Sequence, residues 1–173
     1  MTTTRSPFLD GVSHFGIQVA DLDRSVEFYG NILGLELVTR WVRDQEYIRE
    51  LVGYPGVELH VAVFRLPYSE TFLEILEYRN VERHPVDAAT ANPGTAHLCL
   101  YVRDIEGLYE RLLAAGTRFV SGIKSPDVGP NSGGKVVYMI DPDGIRVELL
   151  ETAKTLDGQP RPQHIHDKEA ESA

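Results

Sequence analysis

Apolar positions along the chain fall into short alternating runs broken by two helical stretches. Val12–Val19 reads as a strand, and Asp21 or Asp23 can cap the helix that follows by accepting a free first-turn N–H. Val26, Tyr29, Ile32 and Leu33 keep helical spacing and form one buried stripe, and Gly34 suits the left-handed position just past a helix end. Glu36–Val42, Glu58–Leu66 and Thr71–Tyr78 are the next strands, the last two joined through a loop at Pro67–Glu70. Further on, Leu98–Val102 is a strand. Asp104 caps a helix carrying Leu108, Leu112 and Leu113 that ends at Gly116. Val136–Ile140 and Ile145–Leu150 flank Asp141-Pro142-Asp143-Gly144, whose Pro and Gly sit where a type I turn places them, so these two strands form a hairpin.

The two halves repeat each other. Residues 13–37 and 96–119 both begin with a small residue and His, continue as an apolar strand ending in Val, and place an Asp seven residues after the His (Asp21 after His14, Asp104 after His97). Residues 72–77 (FLEILE) and 146–151 (RVELLE) also correspond. The offset is 83 at the His and 74 at the Glu, so the units differ in loop length and share an order of elements. Each reads as β-α-β-β-β. The expected class is α+β: two tandem βαβββ modules forming a cup-shaped mixed β-sheet with helices packed on the outside. The expected divisions are an N-terminal extension at 1–9, a first module at 10–78, a linker at 79–95, a second module at 96–152 and a disordered polar tail at 153–173. Ser121–Gly134, rich in Gly and Ser, reads as a mobile loop or lid.

Composition narrows the functional classes. Of the 173 residues, 42% are apolar and 25% charged, values of a chain that folds around a core. Seventeen Lys and Arg against 26 Asp and Glu give a net charge of −9, which argues against general nucleic-acid binding and against docking on anionic membranes. No apolar run approaches the roughly 20 residues of a membrane span. The first ten residues lack the apolar segment of a secretory signal. Cys99 is the single cysteine, so no intrachain disulfide and no cysteine-based zinc site can form. A cytoplasmic location is the simplest expectation.

Strand alternation puts His14 on one face with Gly16 and Gln18, and His97 on one face with Cys99 and Tyr101. Glu74 and Glu148 take corresponding places on the final strands, with Leu73, Ile75, Val147 and Leu149 turned the other way, toward the helices. Two imidazoles and two carboxylates then make a mixed N/O set suited to a divalent first-row metal: Zn, Ni, Co, Mn or Fe. Without a cation, two facing carboxylates would repel and one would hold a proton. A single strand His is usually structural and a single Glu usually solvated; the duplicated pairing is what favours a site. The other candidates read more plainly. His60 has no counterpart and is a pocket or surface residue, His84 sits in the linker, and His164 and His166 sit in the tail. Glu77 and Glu151 repeat on the opposite face and read as rim or surface groups. Tyr138 points either into the cup or into the core. Cys99 lies on the cavity face without a recognisable base beside it.

These residues resemble the vicinal oxygen chelate superfamily, whose members include glyoxalase I, methylmalonyl-CoA epimerase, extradiol dioxygenases and the fosfomycin and bleomycin resistance proteins. The resemblance spans roughly residues 10–152 and is carried by the stretch opening at His14, by Phe28-Tyr29 with Ile32-Leu33-Gly34-Leu35, and by Asp141-Pro-Asp-Gly-Ile-Arg-Val-Glu148. It implies paired modules around one divalent metal held by His14, Glu74, His97 and Glu148. It further implies a small-molecule substrate with adjacent oxygens, a homodimer, and a lyase or isomerase of the glyoxalase I or epimerase type. In that reading Glu148 and Glu74 are the catalytic carboxylates and no residue is assigned to an organic cofactor. Departures are visible. Gln18 stands near where glyoxalase I has a glutathione-binding Arg, and Val52–Val57 lacks the acid of the epimerase motif. The loop before the last hairpin lacks the additional His of the extradiol enzymes. An Fe(II)-dependent extradiol-type dioxygenase and a non-catalytic bleomycin-resistance-like binder are the alternatives.

Overall fold

In a computed structural model, Ser6 and residues 8–161 are described. The chain divides into two units between Arg83 and His84, inside the expected linker. The first contains β1 (His14–Gln18), α1 (Leu22–Val26), β2 (Glu36–Arg43), α2 (Glu46–Val52), β3 (Glu58–Arg65) and β4 (Phe72–Arg79). The second contains β5 (Leu98–Tyr101), α3 (Ile105–Ala114), β6 (Arg118–Phe119), β7 (Lys135–Ile140) and β8 (Arg146–Glu151). Each unit builds one four-stranded sheet, in the orders β1-β4-β3-β2 and β5-β8-β7-β6. The first strand runs parallel to the last, and the remaining pairs are antiparallel. The α+β class and the duplicated βαβββ topology hold, with α1 and α3 each covering one face of the sheet in their own unit, while α2 packs on the opposite face of the first sheet.

The helices start for the same reason in both units. The side chains of Asp21 and Asp104 accept the N–H of Arg24 at 2.9 Å and of Gly107 at 3.0 Å, satisfying a donor that has no intrahelical partner. Beyond Val26, α1 widens into a π-helical stretch, Glu27–Ile32, in which the Phe28 carbonyl accepts the Leu33 N–H at 2.7 Å. Phe28 and Tyr29 of this stretch are buried, and Tyr29 packs against Phe64 in a core that also holds Leu73 and Ile75. In the second unit Ile105 and Leu112 close over Val137, Met139, Val147 and Leu149.

Three features depart from the sequence pattern. The short helix α2 was not expected; its Ile48 lies in a cluster with Leu59, Val61 and Leu76, against which Trp41 and Tyr78 pack. Ser121–Gly134, expected as a mobile loop or lid, is tied down by the Lys124–Val136 bridge and by the Gly133 N–H to the Pro126 carbonyl at 3.1 Å. The polar segment from 153, expected as a disordered tail, is folded as far as Arg161. There Lys154 bridges Pro160 and the Arg161 guanidinium lies 4.1 Å from the Tyr101 ring centroid. His164 and His166 lie outside the described residues.

Candidate metal centre

Register decides which side chains meet. In the first unit Gly16 on β1 pairs with Glu74 on β4, so His14, two residues earlier, leans across the same face toward the carboxylate. His14 Nε2 and Glu74 Oε2 are 3.4 Å apart. In the second unit Cys99 pairs with Glu148, and His97 Nε2 lies 3.1 Å from Glu148 Oε2. The sequence-predicted ligands therefore meet in pairs, His14 with Glu74 and His97 with Glu148, each pair within its own unit.

The spacing of these donor atoms suits a cation. With metal–nitrogen and metal–oxygen bonds of about 2.1 Å, two ligand atoms stand about 3.0 Å apart at a right angle and about 3.4 Å apart at the tetrahedral angle. Both observed separations fall in that interval. The free nitrogen of His14 is oriented as well, since its Nδ1 lies 3.2 Å from Ser13 Oγ, leaving Nε2 turned toward Glu74. The donor set fits a divalent metal.

The two pairs have different surroundings. Glu74 faces Val63 across the β3–β4 ladder and opens, with His14, onto a cleft of about 270 Å³ walled by Ser13, Val38, Trp41, Val63 and Phe72. Glu148 faces Tyr138 across the β7–β8 ladder. The Tyr138 hydroxyl donates to Glu148 Oε2 at 2.7 Å and lies 3.2 Å from His97 Nε2, bridging the pair. Burial and this hydrogen bond push the Tyr138 pKa upward. Cys99 is an exposed residue, yet partial desolvation first and then the Glu148 carboxylate beside it push its thiol up to about 12. A thiol protonated that firmly is a poor nucleophile at neutral pH.

Two readings of the opposite face need correcting. Glu77 is not a rim or surface group. It is buried, its Oε2 accepts the Leu22 N–H at 3.1 Å and the Arg79 guanidinium at 2.8 Å, and the Arg79 hydrogen bond leads in holding its pKa low. Glu151 repeats the device, accepting the Ile105 N–H at 2.8 Å. Each final strand thus caps the helix of its own unit. The signal was in the sequence, as a second Glu three residues past Glu74 and past Glu148, on the face that meets the helix start. His60 is also on that face, opposite Glu77 in register and paired with Glu58, so it does not line the cleft.

Among the described residues, Asp104, Glu106 and Glu151 bring oxygens within 4.8 Å of one another, a potential divalent-metal site by spacing. These acids are already engaged. Lys135 Nζ lies 2.7 Å from Glu106 Oε1 and 3.7 Å from Glu151 Oε1, while Asp104 and Glu151 accept the α3 amides.

Residues 11–149 match the profile of the Glyoxalase/Bleomycin resistance protein/Dioxygenase superfamily. The chain belongs to this superfamily. Within it, the chain is 30% identical over 154 residues to the 2-epi-5-epi-valiolone epimerase of an Actinomyces species, covering 87% of this chain and 84% of that one. It is 30% identical over 150 residues to a probable lactoylglutathione lyase of Vibrio parahaemolyticus, covering 85% and 94%. A superfamily domain from Frankia superposes with a TM-score of 0.61 at 25% identity, over 83% of this chain and 98% of that one. A glyoxalase family protein from Bacillus cereus shares the fold with a TM-score of 0.70 at 21% identity, over 88% and 98%. No helix among the described residues is long and apolar enough to cross a membrane.

Proposed function

We propose that the protein is a metal-dependent lyase or isomerase of the glyoxalase I or epimerase type, acting on a small molecule with adjacent oxygens. His14, Glu74, His97 and Glu148 are its metal ligands. The observation that carries this reading is the duplicated His–Glu pair, repeated in register and spaced as two ligands of one cation are. The relatives named as an epimerase and as lactoylglutathione lyases support it. When bound, a divalent cation supplies Lewis-acid stabilisation of negative charge on the substrate oxygens. Glu74 and Glu148 are the groups able to take a proton from the carbon beside the carbonyl and return it to the neighbouring carbon or the opposite face. Val38, Trp41, Val63 and Phe72 give the Glu74 side of the cleft an apolar wall against which the substrate packs. We place the protein in the cytoplasm on its single, unpaired cysteine, and read it as a homodimer on the strength of the family.

The deciding experiment combines metal analysis with two assays on a panel of 2-oxo and 2-hydroxy carbonyl compounds. Exchange of a substrate C–H for deuterium in D₂O, with no oxygen consumed, is the expected result. Oxygen uptake dependent on iron would replace this reading with the extradiol-type alternative. Failure to bind any divalent metal would leave a small-molecule binder.

A further inference from the structure

Beside the His97–Glu148 pair, a row of residues crosses the same face of the second sheet. Arg146 precedes Glu148 by two positions on β8 and therefore shares its face. It pairs with Ile140 on β7, which pairs with Arg118 on β6, while the Leu98–Val147 register sets His97 on its other side. The row reads His97, Arg146, Ile140, Arg118. Its counterpart in the first unit reads His14, Phe72, Arg65, Glu36. There the single arginine is neutralised, with Arg65 Nε 3.1 Å from Glu36 Oε2 and its guanidinium stacked on Phe72.

The second unit keeps two arginines in this row and no acid. Arg146 is half-buried, and its Nε is shut off from solvent with no hydrogen-bond partner among the described residues. Asp87, whose carboxylate accepts the Ala89 amide, feels the Arg146 charge only through space. A buried guanidinium N–H without an acceptor is costly, and the planar fork matches a carboxylate or phosphate.

We propose that Arg146, with Arg118 adding to the local positive field, is an anion subsite. The substrate then carries a carboxylate or phosphate in addition to its metal-chelating oxygens. Residues two apart on a strand are separated by about 6.6 Å. The anionic group therefore lies only a few bonds from the chelating oxygens, which describes a small hydroxy or oxo acid. This rests on the reading of the His–Glu pairs as the metal site.

The test uses the full chain and three ligands sharing a 2-hydroxycarboxylate head: 2-hydroxybutyrate, malate and 3-phosphoglycerate, which end in a methyl, a carboxylate and a phosphate. In the zinc-loaded protein, titration calorimetry should show malate or 3-phosphoglycerate binding about tenfold more tightly than 2-hydroxybutyrate, the worth of one charge-assisted hydrogen bond. The tighter of the two identifies the anion. Arg146→Met should abolish the preference and leave 2-hydroxybutyrate binding unchanged. In the metal-free protein, the Arg146 Nε–H signal in a ¹H–¹⁵N spectrum, assigned by its loss in Arg146→Lys, should move with the anionic tails and not with the methyl. That measurement needs neither zinc nor a folded Arg146→Met protein, so a failed metal site and a failed subsite are told apart. Equal affinity for all three ligands in the zinc-loaded protein, or an unmoved Nε–H signal, would overturn the proposal.

Discussion

Glu74 and Glu148 hold equivalent positions yet are held differently. Val63 offers Glu74 no hydrogen bond, whereas Tyr138 donates to Glu148 and touches His97. A hydroxyl that orients a ligand carboxylate raises metal affinity by fixing the ligand before the metal arrives. Tyr138→Phe should therefore weaken zinc binding about 10- to 100-fold, measured by competition with a chromophoric chelator. An unchanged affinity would show that the Tyr138 hydrogen bond does not prepare the ligand. Cys99 gives a second test at this scale. Its pKa is raised to about 12, so the neutral thiol dominates below that pH and thiolate appears only as the pH climbs toward it. Alkylation of the metal-free protein should be slow at pH 7 and rise about tenfold per pH unit through the alkaline range. A rate that levels off near pH 9 would show that neither partial desolvation nor the Glu148 carboxylate holds the proton on this sulfur.

At the scale of elements, α1 and α3 are each started twice over, by an Asp from the preceding turn and by a Glu from the final strand. The two Glu caps differ in burial. Glu77→Ala strands the Leu22 N–H and the Arg79 guanidinium and should cost about 1–3 kcal/mol. Glu151→Ala removes a more exposed cap and should cost about 0.3–1 kcal/mol, both read from denaturant unfolding. The folded-state pKa of Glu77 is depressed, so its contribution is present above the unfolded carboxyl value near 4.5 and is lost as pH falls through the lower folded value. The gap between wild type and Glu77→Ala should accordingly be full at pH 7 and shrink in acid. A gap that persisted unchanged well below pH 4 would remove the charge from the explanation. The duplicated strands and helices were legible because apolar alternation and the Asp caps recur at fixed offsets. Helix α2 was not legible, because its seven residues lack a capping side chain and its burial comes from Ile48 meeting residues of β3 and β4. Glu77 was placed on the correct face and given the wrong environment, since alternation tells a face and not what covers it. The His14–Glu74 and His97–Glu148 pairings were legible from periodicity, while the Tyr138 bridge depended on the β7–β8 register, which no local pattern states.

At the scale of the whole molecule, two similar units each offer one imidazole and one carboxylate, and the proposed function has both pairs serve one ion. Stoichiometry distinguishes that from two independent sites. A two-ligand site holds a divalent ion weakly, while four ligands on one ion give the closed or nearly closed set seen in tightly bound centres. One equivalent of zinc per chain is expected, with no second equivalent at comparable affinity. His14→Ala and His97→Ala should each lose affinity for that same equivalent, although the substitutions lie in different units. Binding restricted to the folded state should also raise thermal stability by mass action, by about 2.7 kcal/mol when free zinc is 100 times the dissociation constant. Either histidine substitution should remove most of that gain while leaving the metal-free unfolding midpoint nearly unchanged, because both side chains are solvent-exposed and belong to no core. Two equivalents per chain, each abolished by only one of the substitutions, would mean that the units bind metal separately, and the single-ion reading would fall with its proton-transfer chemistry.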